Sequence, residues 1–260
     1  MTLQNESIRF AAWGETEMRA LFLLIALACY SAFFISFVYL VGFLAGFELL
    51  PTHVDKGIVA NTATAAIWDI GLIALFGIQH SVMARKGFKA AWTKIIPPPI
   101  ERSVYCLAAA IVLALLYRYW HPIPAVVWDI GNPMIRNLIW AVFLGGFGIV
   151  FISTWLVNHF ELFGLAQVWN NWRGAAAPSP QLRTPLFYKL VRHPIYTGFL
   201  IAFWATPTMT AGHLLLAVGT TIYLLIGIHY EERDLVDTFG QDYVGYREQV
   251  GKIIPGIGKG

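Results

Sequence analysis

The chain has 260 residues, of which 57% are hydrophobic and only 13% charged, with a formal net charge of +3. Soluble domains average roughly 45–50% apolar and about 25% charged, so the composition argues for a membrane protein. The small positive charge, spread between apolar runs, speaks against nucleic-acid binding. Two cysteines, Cys29 and Cys106, both within apolar runs, argue against a disulfide framework and read as buried, inert thiols.

The first 18 residues carry acids and no apolar core, unlike a cleaved signal peptide. A spanning helix needs about 20 mainly apolar residues. On that criterion spans are expected near 20–47, 64–84, 103–120 and 137–157, the first long enough to tilt or to extend beyond the bilayer. Residues 195–230 hold two further apolar stretches, about 195–210 and 212–230, separated by Ala205-Thr206-Pro207 and Gly212-His213. The first is short, so the pair could form a tight helical hairpin. The expected fold is an all-α, polytopic transmembrane helical bundle in a single domain, with six segments, or five as the alternative.

Lys and Arg concentrate in two loops. Residues 85–102 hold Arg85, Lys86, Lys89, Lys94 and Arg102 against Glu101, and residues 158–194 hold Arg173, Arg183, Lys189 and Arg192 against Glu161. The positive-inside rule then puts both loops and both termini in the cytoplasm. Gly145, Gly146 and Gly148 suit close helix packing in the fourth span. The stretch 156–172 suits an interfacial amphipathic helix, and 173–185, with Ala177-Pro178-Ser179-Pro180, reads as a loop. The absence of internal repeats disfavours a transporter.

Polar residues cluster at the expected cytoplasmic level. Gln79-His80-Ser81 interrupts an apolar run, which is costly unless it faces a cavity or a partner helix. Glu101-Arg102-Ser103 precedes the third span, and Asn158-His159-Phe160-Glu161 follows the fourth. At Arg192-His193-Pro194-Ile195-Tyr196-Thr197-Gly198, proline predicts a helix start at Pro194, whose free N–H groups favour an anion. Gly198 removes bulk where a ligand or helix could approach. The last apolar run is expected to continue as a helix through Glu231-Glu232, with Leu235 and Phe239 buried and Gly240 as terminator. Glu231 is the candidate ligand contact; Glu232, Arg233 and Asp234 suit a surface role. Tyr243 and Tyr246 read as packing aromatics.

His80, His159, His193 and His229 all fall near one expected membrane face, while His53, His121 and His213 fall near the other. No two histidines lie within five positions of each other, so paired-histidine metal boxes are missing and no metal is expected. No glycine-rich phosphate loop follows a predicted strand.

The Arg-His-Pro-x-Tyr-x-Gly motif at 192–198, Glu-Glu-x-x-Leu at 231–235, Phe-Gly-x-x-Tyr-x-x-Tyr at 239–246 and Ile254-Pro255 resemble the isoprenylcysteine carboxyl methyltransferase superfamily. Gln79-His80-Ser81, Glu101-Arg102-Ser103-x-Tyr105 and Phe160-Glu161-Leu162-Phe163-Gly164-Leu165 extend the resemblance toward its bacterial methanethiol S-methyltransferase branch, over roughly 65–255. Ala166 stands where that pattern expects a basic residue. The resemblance implies S-adenosylmethionine as methyl donor, a small volatile thiol as acceptor, dimethyl sulfide as product, and a bacterial inner-membrane protein with a cytoplasmic active site. It implies a cofactor-binding set of Gln167, Arg192, His193, Pro194, Tyr196, Gly198, Glu231 and Glu232. His80 is then the first choice for thiol activation, with Glu101 and His159 next. Carboxyl methylation of a prenylated cysteine, which needs a wide lateral groove, and a non-catalytic membrane assembly role remain the alternatives.

Overall fold

The computed structural model describes residues 3–176, 179 and 181–260, with the side chains of 3–13 excepted. Ala177, Pro178 and Pro180 of the expected 173–185 loop lie outside the described residues. Ten α-helices are described: α1 (Leu3–Leu44), α2 (Thr62–Ala84), α3 (Lys86–Trp92), α4 (Pro98–Tyr119), α5 (Pro133–Val157), α6 (His159–Leu162), α7 (Leu165–Arg173), α8 (Pro194–Trp204), α9 (Ala211–Phe239) and α10 (Gln241–Gln249). Five of them are long and apolar enough to cross a membrane: α1 from Gly14, α2, α4, α5 and α9. The chain is a multi-pass, all-α membrane protein. Large apolar side chains such as Leu24, Ile67, Leu144 and Ile222 face outward, as lipid-facing positions do.

The count of six spans is corrected to five. The stretch expected at 195–210 forms α8, only 11 residues long, about 16 Å at 1.5 Å per residue and too short to cross the hydrocarbon. It lies along α5 as the short arm of a hairpin with α9. The helix does start at Pro194, and α9 does run unbroken through Glu231-Glu232 to Gly240. The expected helix at 156–172 is two short ones, α6 and α7.

Local chemistry sets the other helix starts. Asn61 caps α2 by accepting from Thr64 N at 2.9 Å. Asn132 caps α5, with Pro133 in its first turn. Each cap satisfies an N–H left free by the first turn. The α8–α9 connection also holds a strand that sequence periodicity did not signal: β2 (Thr208–Thr210) pairs antiparallel with β1 (Val126–Asp129), joining the α4–α5 and α8–α9 loops at one end of the bundle.

The core runs between α1, α2, α4, α5, α8 and α9, around Phe43, Trp120, Phe143 and Ala217. Packing of α5 on α8 is closest at Gly146 and Gly198. A Cβ on Gly198 would lie 2.6 Å from the Gly146 carbonyl oxygen. Of the three glycines expected to pack, only Gly146 does so; nothing lies within 4 Å of a Cβ at Gly145 or Gly148.

Candidate active site

Five segments bring polar residues to one end of the bundle. These are the end of α2, the start of α4, the turn after α5, the start of α8 and the last third of α9. Between them lies a cavity of about 500 Å³, lined at that end by His80, Arg102, His159, His193, Tyr196 and Glu231, among others. Toward the bundle centre its wall is apolar, with Phe37, Ile73, Leu116, Phe199 and Leu216.

Tyr196 and Glu231 are joined across the cavity wall. The Tyr196 hydroxyl donates to Glu231 Oε2 at 2.7 Å. His193 stacks on Tyr196, ring centroids 5.5 Å apart. Its Nδ1 lies 3.7 Å from Glu231 Oε2 and its Nε2 3.2 Å from Glu232 Oε1. Glu231 is half-exposed, so its carboxylate keeps free acceptor capacity toward the cavity.

Glu232 points the other way, and its surface reading is corrected: it is buried. Its Oε1 accepts from Arg192 Nε at 2.9 Å and sits 2.7 Å from Arg192 Nη2. Arg192 also donates from Nη1 to the Arg247 and Val250 carbonyls, and from Nη2 to the Gly258 carbonyl. All five of its N–H donors are thus taken up within the protein. The pair ties the start of α8 to the C-terminal tail. Lys252 Nζ approaches the other Glu232 oxygen at 3.6 Å.

His80 lies on α2, stacked on Phe76 and tilted against Tyr105. Its Nδ1 is buried and has no hydrogen-bond partner. His159 is fixed more tightly. Thr154 Oγ1 donates its single hydrogen to the Phe151 carbonyl at 2.7 Å. It must therefore accept from His159 Nδ1, 2.8 Å away. Nε2 is then the acceptor for the Tyr30 hydroxyl at 2.7 Å. Burial holds the His159 imidazole below its ordinary pKa, consistent with this neutral tautomer.

The remaining expected site residues lie off the cavity. Glu101 is absent from its wall, where the next residue, Arg102, stands instead. Gln167 donates to the Glu161 carbonyl at 3.0 Å. Pro194 is buried at the helix start, and Gly198 packs on Gly146. His229 is exposed on α9. Tyr243 is buried, and Tyr246 donates to the Tyr188 carbonyl.

Four cavity residues were not among the expected site residues: Arg102, Tyr105, Tyr223 and Asp234, the last expected in a surface role. Arg102 and Tyr105 both belong to the Glu101-Arg102-Ser103-x-Tyr105 motif, and Tyr223 gives no signal within its apolar run. Asp234 pairs with Arg85 at 3.0 Å. Among the described residues no group of three His, Cys, Asp or Glu side chains is placed to hold a metal ion. Cys106 is unbridged and buried on the cavity wall.

A five-span helical bundle with a polar-ended cavity defines an integral-membrane enzyme. The chain is 46% identical over 252 residues to methanethiol S-methyltransferase 1 of Bradyrhizobium diazoefficiens, covering 97% of this chain and 88% of that one. It is 48% identical over 233 residues to the methanethiol S-methyltransferase of a Pseudomonas species, covering 90% and 89%. Against the Mycobacterium tuberculosis enzyme of the same name the figures are 46% over 237 residues, covering 91% and 97%. No family model and no solved structure matches the chain. The chain belongs to the methanethiol S-methyltransferase family and is a methyltransferase.

Proposed function

We propose that the protein transfers a methyl group from S-adenosylmethionine to methanethiol, giving dimethyl sulfide. One observation carries this reading. A single cavity joins the charged His193–Glu231–Tyr196 cluster to an apolar interior, with the unpartnered His80 Nδ1 on the same wall. That lining suits a polar, cationic donor against the His193–Glu231–Tyr196 cluster and a small thiol lodged between the His80 wall and the apolar interior.

The donor set fits the methyl donor. Glu231 offers carboxylate oxygens to its hydroxyl or ammonium groups, and the His193 and Tyr196 rings supply a flat wall. Arg192 and Glu232 serve as positioning residues, because their polar groups are spent on each other and on the tail. When bound, S-adenosylmethionine supplies a methyl group on a sulfonium, whose carbon–sulfur bond breaks as the acceptor sulfur takes the methyl.

The chain's own contribution is alignment, exclusion of water and removal of the thiol proton. An unperturbed thiol titrates at about 8.5 or above, so little thiolate is present at neutral pH. A neutral His80 can accept the thiol proton at Nδ1 and release it to water. His159 is engaged at both ring nitrogens, and Glu101 stands off the cavity, so His80 is the candidate base. The basic residues around α3 and before α8 support a cytoplasmic site in a bacterial inner membrane.

The test is a calorimetric titration with S-adenosylmethionine alongside turnover. Glu231→Ala and His193→Ala should weaken donor binding with the fold intact. His80→Gln should leave binding unchanged and lower turnover, since general-base catalysis contributes about 10²–10⁴-fold. Unchanged donor affinity in both of the first variants would remove the donor site from this cavity.

A further inference from the structure

Three arginines reach the cavity, and two are neutralised. Arg192 is consumed by Glu232 and three carbonyls, and Arg85 pairs with Asp234 at 3.0 Å. Arg102 is different. Among the described residues, no carboxylate lies within ion-pair distance of its guanidinium, and Nε is its one hydrogen-bonding donor, to the Leu162 carbonyl at 2.8 Å. The guanidinium carbon sits 5.1 Å over the Tyr105 ring. The same ring also neighbours His80, centroids 5.0 Å apart.

The placement is built by two segments that fold together. Gly164, between α6 and α7, has φ +90, and a Cβ there would meet the Ser103 nitrogen at 2.6 Å. The α6–α7 turn therefore presses on the backbone of Arg102-Ser103. This contact aims the Leu162 carbonyl at Arg102 Nε and leaves Nη1 and Nη2 free for the cavity. A guanidinium fixed at one nitrogen and unpaired at two others is an anion site on the same wall as the candidate base.

We propose that Arg102 binds the acceptor sulfur as a thiolate. This rests on the thiol methyltransferase reading. The neutral thiol enters and passes its proton to His80 and on to water; the sulfur keeps the electron pair that becomes the new bond to the methyl carbon. Arg102 stabilises the anion that exists between proton loss and methyl transfer, and is released when the neutral sulfide forms. A cation beside a thiol favours its ionisation. The charged and titratable groups around this wall are His80 on α2, Arg85 between α2 and α3, Lys89 on α3, Glu101, Tyr105 and Cys106 on α4 and Asp234 on α9. Burial first, then the Arg102 charge, holds the Lys89 ammonium below its ordinary value.

The test compares ethanethiol with trifluoroethanethiol, which is of similar size but more acidic. Arg102→Gln should keep donor affinity by calorimetry and lose about 10²–10³-fold in turnover on ethanethiol at neutral pH, the usual loss of a preorganised anion donor. The loss should shrink with trifluoroethanethiol and at high pH. Arg102→Lys, which keeps the charge, should recover part of it. Without methyl donor, titration of the bound thiol's ultraviolet thiolate band should move to higher pH in Arg102→Gln. Equal losses on the two thiols with an unmoved thiolate titration overturn the assignment alone. An Arg102→Lys variant as impaired as Arg102→Gln does the same. A wild type with no turnover on any thiol overturns the thiol reading and this assignment together.

Discussion

Arg192 and Glu232 meet inside the protein, with Arg192 Nη2 2.7 Å from Glu232 Oε1 and the arginine side chain fully buried. Adjacent acids on α9 thus do opposite work. Glu232 holds the tail against α8, and Glu231 faces the cavity. Breaking a buried pair by removing one partner costs about 3–5 kcal/mol. Glu232→Ala should therefore lower the thermal unfolding midpoint in detergent markedly, while Glu231→Ala should leave it near wild type. Equal midpoints for the two variants would contradict the division.

The Gly146–Gly198 contact makes a second contrast. A Cβ at Gly198 would lie 2.6 Å from the Gly146 oxygen and 2.9 Å from the Val150 nitrogen, both backbone atoms that cannot swing aside. Overpacking of this kind costs about 1–3 kcal/mol. Gly198→Ala should destabilise on that scale, and Gly145→Ala, with open space around it, should be neutral. Urea or thermal unfolding of the two variants decides it.

His159 links stability to pH. Its folded pKa is lowered by burial, whereas the unfolded chain titrates near 6.5. The unfolded state then binds the proton first, so the stability contribution is present above about pH 6.5 and is lost as pH falls toward the folded value. Wild type should lose more stability than His159→Gln between about pH 7.5 and 5.5. Parallel pH dependences would show that His159 does not carry the effect.

Orientation can be read by labelling. Lys94 is exposed on the basic loop before α4, and the native Cys29 and Cys106 are buried. A Lys94→Cys variant in intact cells should resist a membrane-impermeant thiol reagent and react once the cells are opened. Labelling in intact cells would reverse the topology.

The helices were legible because long apolar runs and the proline at 194 are local signals. The sixth span was not: 195–210 is apolar, but Thr206-Pro207 ends the helix early and Thr208–Thr210 pairs with Val126–Asp129, a partner distant in sequence. The motifs led to His80, His193, Tyr196 and Glu231, which do share a cavity. They did not distinguish a residue free to bind at the cavity from one whose polar groups are already engaged: Arg192 lines the cavity and Glu232 lies behind it. Arg192 and Glu232 look like binding groups by type, and only the positions of Arg247, Val250 and Gly258 reveal that their bonds are already made. Likewise Glu101 and Arg102 are neighbours in sequence, and the helix phase puts the second on the cavity wall.

The central claim is methyl transfer to a thiol sulfur. Purified protein in lipid vesicles, given S-adenosylmethionine with a deuterated methyl group and ordinary methanethiol, should release dimethyl sulfide carrying one deuterated and one ordinary methyl, detected by headspace mass spectrometry. This singly labelled sulfide should dominate and should fall sharply in His80→Gln. Label appearing on a prenylated cysteine carboxylate, with no labelled dimethyl sulfide, would contradict it.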